Sequence, residues 1–458
     1  MYFYEINTAL FAAVSAYLLR RQYYSPGQPT AGAGAGAKET DMEDQSDSGT
    51  VVVESSELAR RFQIEFFSVY ALAVAADWLQ GPHIYAIYRY EKNIPERSVA
   101  ALYASGFIAG AASASFAGGL ADRYGRRSAC LWYCVTYAFG CLTMLSDNLA
   151  VLFLGRLASG VSTTLLFSVF PAWMVTAYHG RVLQGTELDL SSMFGKMSSL
   201  SGIVAIASGI LGDALITYTG SRVWPFLAAT VCAAGAGFLI TTTWEENYGC
   251  QSSSFPTGAT PLSGGIKASL QILANPRVLA LGLASSVFEG TMYLVVFFWS
   301  AALKSARAHA GSDEELPFGI IFSSFMCAMV AGSALFALSP HSRENVCSLL
   351  MTALLAVSCC LSAAVLMMTR EVGVFWAVCL IELCIGLYYP SIELLKSEVV
   401  EDTVRGRTYS LMRVPLNVFV VVAHALDQEG DEHRNHVFMA CALLLIGAFF
   451  VFKKAFAA

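Results

Sequence analysis

Gly118-Gly119-Leu120-Ala121-Asp122-Arg123-Tyr124-Gly125-Arg126-Arg127 is a ten-residue charged turn set between two long apolar segments, Ala100 to Ala117 and Ser128 to Leu145. Each flanking run approaches the ~20 residues that a helix needs to cross a hydrocarbon core, so the turn joining them must lie at a membrane surface. Its residues suit that place. Gly118 and Gly125 allow close helix approach and a tight reversal of the chain. Asp122 can accept hydrogen bonds from a neighbouring helix N-terminus, and Arg123, Arg126 and Arg127 can face water or lipid phosphate.

Composition leads to the same class. Hydrophobic residues make up 56% of the 458-residue chain and charged residues 14%, with a mean hydropathy of +0.55. Soluble domains are nearly half apolar and about a quarter charged, so an all-α integral membrane protein is expected. The 12 cysteines fall mostly inside apolar runs, without CxxC pairs or histidine spacing, and read as small core hydrophobes. No metal or cofactor is implied, and no nucleic-acid partner is expected. The net charge of −6 comes partly from the segment Glu39 to Glu57 and says little about substrate.

Along the chain, a short apolar run at Phe3 to Leu19 precedes a low-complexity stretch, an Ala/Gly repeat followed by acidic residues, that is too polar to bury. Twelve further apolar runs follow, near 63–88, 98–121, 128–146, 149–178, 193–218, 223–243, 276–302, 318–338, 345–369, 372–395, 407–425 and 435–453. The break after the sixth, Glu245 to Asn275, is rich in Gly, Ser and Pro. The expected organisation is an N-terminal transmembrane helix (1–22), a disordered acidic cytosolic linker (23–60), a six-helix bundle (61–243), a cytosolic loop (244–275) and a second six-helix bundle (276–458). Placing the Asp122 loop in the cytosol also places most lysines and arginines there, in agreement with the positive-inside rule. The first helix then has its N-terminus outside. The basic residues Arg20 and Arg21 follow its apolar run, where a cleaved signal peptide would have them before it.

Polar groups are costly in hydrocarbon, so those inside spans normally face the bundle interior and mark a pathway. They are Asp77 and Gln80 in the first core helix, Arg156 in the fourth, Glu289 in the seventh, Glu382 and Glu393 in the tenth, and Arg413 and Asn417 in the eleventh. Structural pairing is the alternative role for each of them. No Gly-x-Ser-x-Gly, His-Glu-x-x-His or phosphate loop is present, so an enzyme is not expected.

The turn pattern G-x-L-x-D-R-x-G-R-R resembles the signature loop between the second and third core helices of the major facilitator superfamily, and Arg156-Leu157-Ala158-Ser159-Gly160 resembles its R-x-x-x-G element. Longer phrases narrow the resemblance. Ala75 to Pro82 (AADWLQGP), Trp244 to Tyr248 (WEENY), Phe318 to Met326 (FGIIFSSFM), Ile381 to Ser391 (IELCIGLYYPS) and Arg413 to Leu416 (RVPL) are similar to the eukaryotic molybdate-anion transporter family. The resemblance runs from about residue 60 to the C-terminus, includes the short N-terminal helix and fails in the linkers. It implies twelve core helices in two pseudo-symmetric halves, working as a monomer in the plasma membrane, with an endomembrane as the competing location. One departure stands out. Where the family is expected to read Phe-Glu-Ala-Trp, this chain has Phe170-Pro171-Ala172-Trp173, which removes an intramembrane carboxylate and adds a helix-kinking proline.

Molybdate is a tetrahedral dianion that must exchange its water for positive charge and hydrogen-bond donors. Arg156 and Arg413, one in each half, are the leading ligands because a guanidinium is permanently charged and offers paired donors. Gln80, Ser323, Ser324, Tyr388 and Asn417 are candidate neutral donors. Carboxylates in such a cavity repel a dianion unless they are protonated or paired, so Asp77, Glu289 and Glu382 are candidate proton carriers for symport by rocking of the two halves. A uniporter would leave them as partners of the arginines. Sulfate, a sugar or an organic anion is the alternative cargo, and a non-transporting sensor on the same scaffold is the alternative function.

Overall fold

The computed structural model describes residues 2–24, 48–114, 116–181, 190–248, 275–312, 315–340, 342–367, 369–399, 412, 415–416, 418–423 and 430–456. Every regular element among them is helical: α1 (Tyr2–Tyr24), α2 (Ser48–Gln80), α3 (Glu96–Ala114), α4 (Ala117–Tyr124), α5 (Arg126–Leu142), α6 (Leu149–Gly180), α7 (Leu190–Thr219), α8 (Trp224–Thr243), α9 (Pro276–His309), α10 (Phe318–Leu338), α11 (Arg343–Leu366), α12 (Glu371–Val399) and α13 (Asp431–Phe456). Ten spans among the described residues are long and apolar enough to cross a membrane, and α3 with α4, bent by 50°, supplies an eleventh. Most of the eleventh core helix expected from sequence lies outside the described residues, and α1 is less apolar than the ten. The first core helix begins at Ser48, inside the stretch expected to be linker.

Two bundles repeat one another. In the first, α3 packs on α6, α6 on α5, α5 on α8 and α8 on α2; in the second, α10 packs on α12, α12 on α11, α11 on α13 and α13 on α9. Both α3–α6 and α10–α12 use glycine for close backbone approach. A Cβ on Gly160 would overlap the carbonyl of Gly106, and one on Gly386 would overlap that of Met329. Such small-residue seams are how helices associate where lipid removes the hydrophobic drive between them.

The outer surface is apolar, as a lipid-facing surface must be. Trp132, Val135, Phe139 and Leu142 expose one stripe of α5, and Leu443, Phe450 and Val451 another on α13. Helix α1 shows the inversion most clearly. Its polar Asn7, Thr8 and Ser15 are buried while Ile6, Leu10, Val14 and Tyr17 are exposed. Thr8 shares a hydrogen bond with Ser324 at 2.7 Å, and Ser15 donates to the Cys327 carbonyl at 2.7 Å, so the polar face lies on α10. At its outer end Tyr4 donates to Glu371, which also receives Arg307 at 2.7 and 2.9 Å. Helix α1 is thereby fastened to α10 and α12.

Candidate functional site

The charged turn is organised by a residue far along the chain. Gly125 has φ +107°, and a Cβ there would overlap the carboxylate of Glu246. That carboxylate accepts from Arg127 N at 2.7 Å, Ser128 N at 3.1 Å and Ser128 Oγ at 2.7 Å, capping α5. Arg126 N donates to Asn247 O at 2.9 Å, and Trp173 stacks on Trp244 at 3.7 Å. The Trp-Glu-Glu-Asn-Tyr phrase therefore ties α8 to α5 and α6. Two expectations for the turn are corrected. Gly118 has open space where a Cβ would stand, so close approach does not require it. Asp122 pairs with Arg126 at 2.7 Å instead of capping a helix, and Arg126 also donates to Ala172 O and Thr176. Arg127 donates to the α8 carbonyls of Ile240 and Thr241, and Arg123 lies over its neighbour Tyr124.

Inside the first bundle, Gly160 brings α6 against α3 and thereby sets Arg156, one turn earlier, beside Gly106 and 5.3 Å from the ring of Tyr103. Its Nε is buried with no hydrogen-bond partner, and among the described residues no carboxylate lies within 4.0 Å of its guanidinium. Asp77 is within electrostatic reach of it. Tyr137 of α5 joins the two polar groups of α2: it receives Gln80, donates to the Ala76 carbonyl at 2.9 Å and reaches Asp77 at 3.4 Å. Asp77, Gln80 and Arg156 thus come together around residues that the sequence did not single out, Tyr103 and Tyr137.

The second bundle holds a separate cluster. Glu289 accepts from Ser285 at 2.7 Å and from Tyr388 at 3.2 Å, while Phe288 stacks on Tyr388 at 3.8 Å. Tyr388 is therefore a link between α9 and α12. Glu382 does not join it: it is buried two turns beyond Phe375 on the same face of α12, and Phe375 meets Phe3, Tyr4 and Phe325. The two serines are corrected as well. Ser323 donates to Ile206 O and Gly319 O at 3.0 and 2.9 Å, and Ser324 is held by Thr8, so both hydroxyls are taken up in helix seams. Arg413 and Asn417 lie outside the described residues.

The two bundles meet at the ends opposite the Asp122 turn. Asp213 at the outer part of α7 accepts from the first amides of α10, Gly319 and Ile320, both at 2.8 Å. Arg222 pairs with Glu315 at 3.0 Å, Lys304 stands 3.5 Å over the ring of Tyr90, and Phe297 packs edge-on against Tyr85 and Tyr103. These contacts join the two bundles at the end opposite the Asp122 turn, on the side taken as outer from the positive-inside reading.

A family model described as sugar transporters, 12 TM, matches residues 37–386. The Molybdate-anion transporter of Xenopus tropicalis is 30% identical over 398 residues, covering 84% of this chain and 84% of its own. That of Takifugu rubripes is 29% identical over 422 residues, covering 85% and 86%. Among solved structures, the nucleoside transporter NupG aligns with a TM-score of 0.64 at 14% identity, covering 87% of this chain and 99% of NupG, a likeness of fold.

Proposed function

The chain belongs to the molybdate-anion transporter family of the major facilitator superfamily, and we propose that its own cargo is molybdate, taken up across the plasma membrane by alternating access of a single two-bundle molecule. One observation carries the choice of a tetrahedral oxyanion: Arg156 is a permanent cation inside the first bundle whose Nε has no hydrogen-bond partner. A neutral sugar would gain little from such a group, whereas an oxyanion takes paired guanidinium donors in geometry and charge.

The rest of the cluster supports a route. Asp77 balances Arg156 at a distance, and among the described residues Arg156 makes no ion pair within 4.0 Å, so an incoming dianion displaces no salt bridge. Once the anion is seated, Asp77 is a like charge nearby, and protonation relieves the repulsion. Glu289, held by Ser285 and Tyr388, is the matching group in the second bundle. Proton symport through these two carboxylates is our reading. Glu382, buried on α12 apart from that cluster, is a lesser candidate, and Arg413 is the expected second ligand.

Labelled molybdate uptake into cells lacking their own molybdate transport tests this reading, with and without a proton gradient and with excess sulfate. Uptake above empty cells that sulfate does not abolish is expected. Protein at the cell surface with no uptake would overturn the cargo, and uptake indifferent to the gradient would overturn the symport.

A further inference from the structure

Helix α2 stops at Gln80, and Pro82 lies in the 3-10 turn Gly81–His83 that follows. The turn carries His83 out of the α2 register and into the seam that closes the outer side. The imidazole is fully buried, and neither Nδ1 nor Nε2 has a hydrogen-bond partner. Its Nε2 is 2.6 Å from where a Cβ on Gly212 would stand, so α7 accommodates the ring only because residue 212 is glycine. The same turn packs on α10 of the other bundle.

The charged groups around this ring are accounted for. On its own segment, Asp77 is held by Tyr137, and Tyr85 donates to Glu96 at 2.9 Å. On α7, both Asp213 oxygens are taken by the amides of Gly319 and Ile320. Arg222, beyond α7, is the charge that acts on His83, and it is itself bound to Glu91 and Glu315. The facing part of α10, Phe318 to Phe325, contains no titratable group. A neutral imidazole fits this seam. An imidazolium would be sealed from water facing a second cation, with no carboxylate within 4.0 Å of its N–H groups among the described residues.

We propose that His83 is a proton-operated latch on the outer gate: the neutral ring lets α7 and α10 close over it, and a proton taken from outside water holds them apart. The closed state is then fully available above the ordinary histidine value of about 6.5 and is lost as pH falls below it. With one proton excluded on closing, the ratio of closed to open molecules falls by up to roughly tenfold per pH unit. This inference needs only two bundles that rock, and it survives if the cargo proves not to be molybdate.

The test uses purified full-length protein without substrate. Spin labels on Tyr218→Cys, at the exposed outer end of α7, and Ala310→Cys, just beyond α9, report the gap between the bundles from pH 8 to pH 5, with Cys250 and the exposed Cys359 replaced by serine. Wild type is expected to shift to the longer distance below about pH 6.5. His83→Gln, uncharged and of similar size, should keep one distribution throughout. A wild-type distribution that ignores pH overturns the proposal, as does a His83→Gln protein that keeps the wild-type pH dependence.

Discussion

Replacing Glu246 with glutamine should loosen the Asp122 turn without changing its shape. The carboxylate accepts from two amides at the start of α5 and from the Ser128 hydroxyl, at 2.7, 3.1 and 2.7 Å. Hydrogen bonds to charged groups contribute about 1.5–3 kcal/mol each. A carboxamide has one accepting oxygen and turns an N–H toward the remaining donors. Taking two bonds lost, at the lower end of the range because the turn is at a water-facing surface, the loss is about 3 kcal/mol. A bundle of this size responds by roughly 2–4 °C per kcal/mol, so the midpoint of thermal denaturation in detergent should fall by about 6–12 °C. Gly125 provides the control. Gly125→Ala introduces strain at φ +107° and a Cβ that collides with Glu246; Glu246→Ala removes the collision and leaves the strain. The double variant should therefore lose less than the sum of the singles. A Glu246→Gln midpoint within about 2 °C of wild type, or strictly additive losses, would refute the capping argument.

The other structural claims are open to equally direct tests. Gly209 faces the backbone of Gly319 across the outer seam, so Gly209→Val should hold the bundles apart and leave the protein reactive to an external thiol reagent at an engineered Ser323→Cys, which wild-type packing shields. Tyr4→Phe removes one hydrogen bond to the Glu371 carboxylate, about 1.5–3 kcal/mol, and should lower the denaturation midpoint by several degrees, with no effect if α1 is not seated on α10 and α12.

How far the fold could be read from sequence depends on the range of the interaction involved. Hydropathy runs, the position of basic residues and the Asp122 turn are local signals, and the two-bundle helical architecture follows from them. The start of α2 at Ser48 is not visible in the sequence, because Val51 to Val53 are too short an apolar run and are followed by Glu54, Ser55, Ser56 and Glu57. Asp77, Gln80, Arg156 and Glu289 stand out in the sequence because hydrocarbon penalises polar groups wherever they are, and the structure sets each against a polar or aromatic partner on another helix or one turn away. Ser323 and Ser324, read as candidate donors to the anion, have small hydroxyls that are satisfied by backbone carbonyls one turn away or by a facing helix, which sequence alone does not show. Glu246 was recognisable as part of a fixed phrase, yet its partner amides are 119 and 118 residues distant, and nothing in the periodicity of either segment joins them. His83 carried no signal at all: only the Pro82 turn and the absence of a side chain at Gly212 place it in the seam.

The central claim is that Arg156 holds a tetrahedral oxyanion, and calorimetric titration of molybdate into purified protein in lipid nanodiscs, wild type against Arg156→Gln, tests it most directly. Losing the charge and its paired donors removes about 2–4 kcal/mol, so the account predicts saturable binding by wild type and affinity weaker by roughly 30- to 1,000-fold in the variant, at unchanged thermal stability. Equal affinity in the two proteins would contradict it.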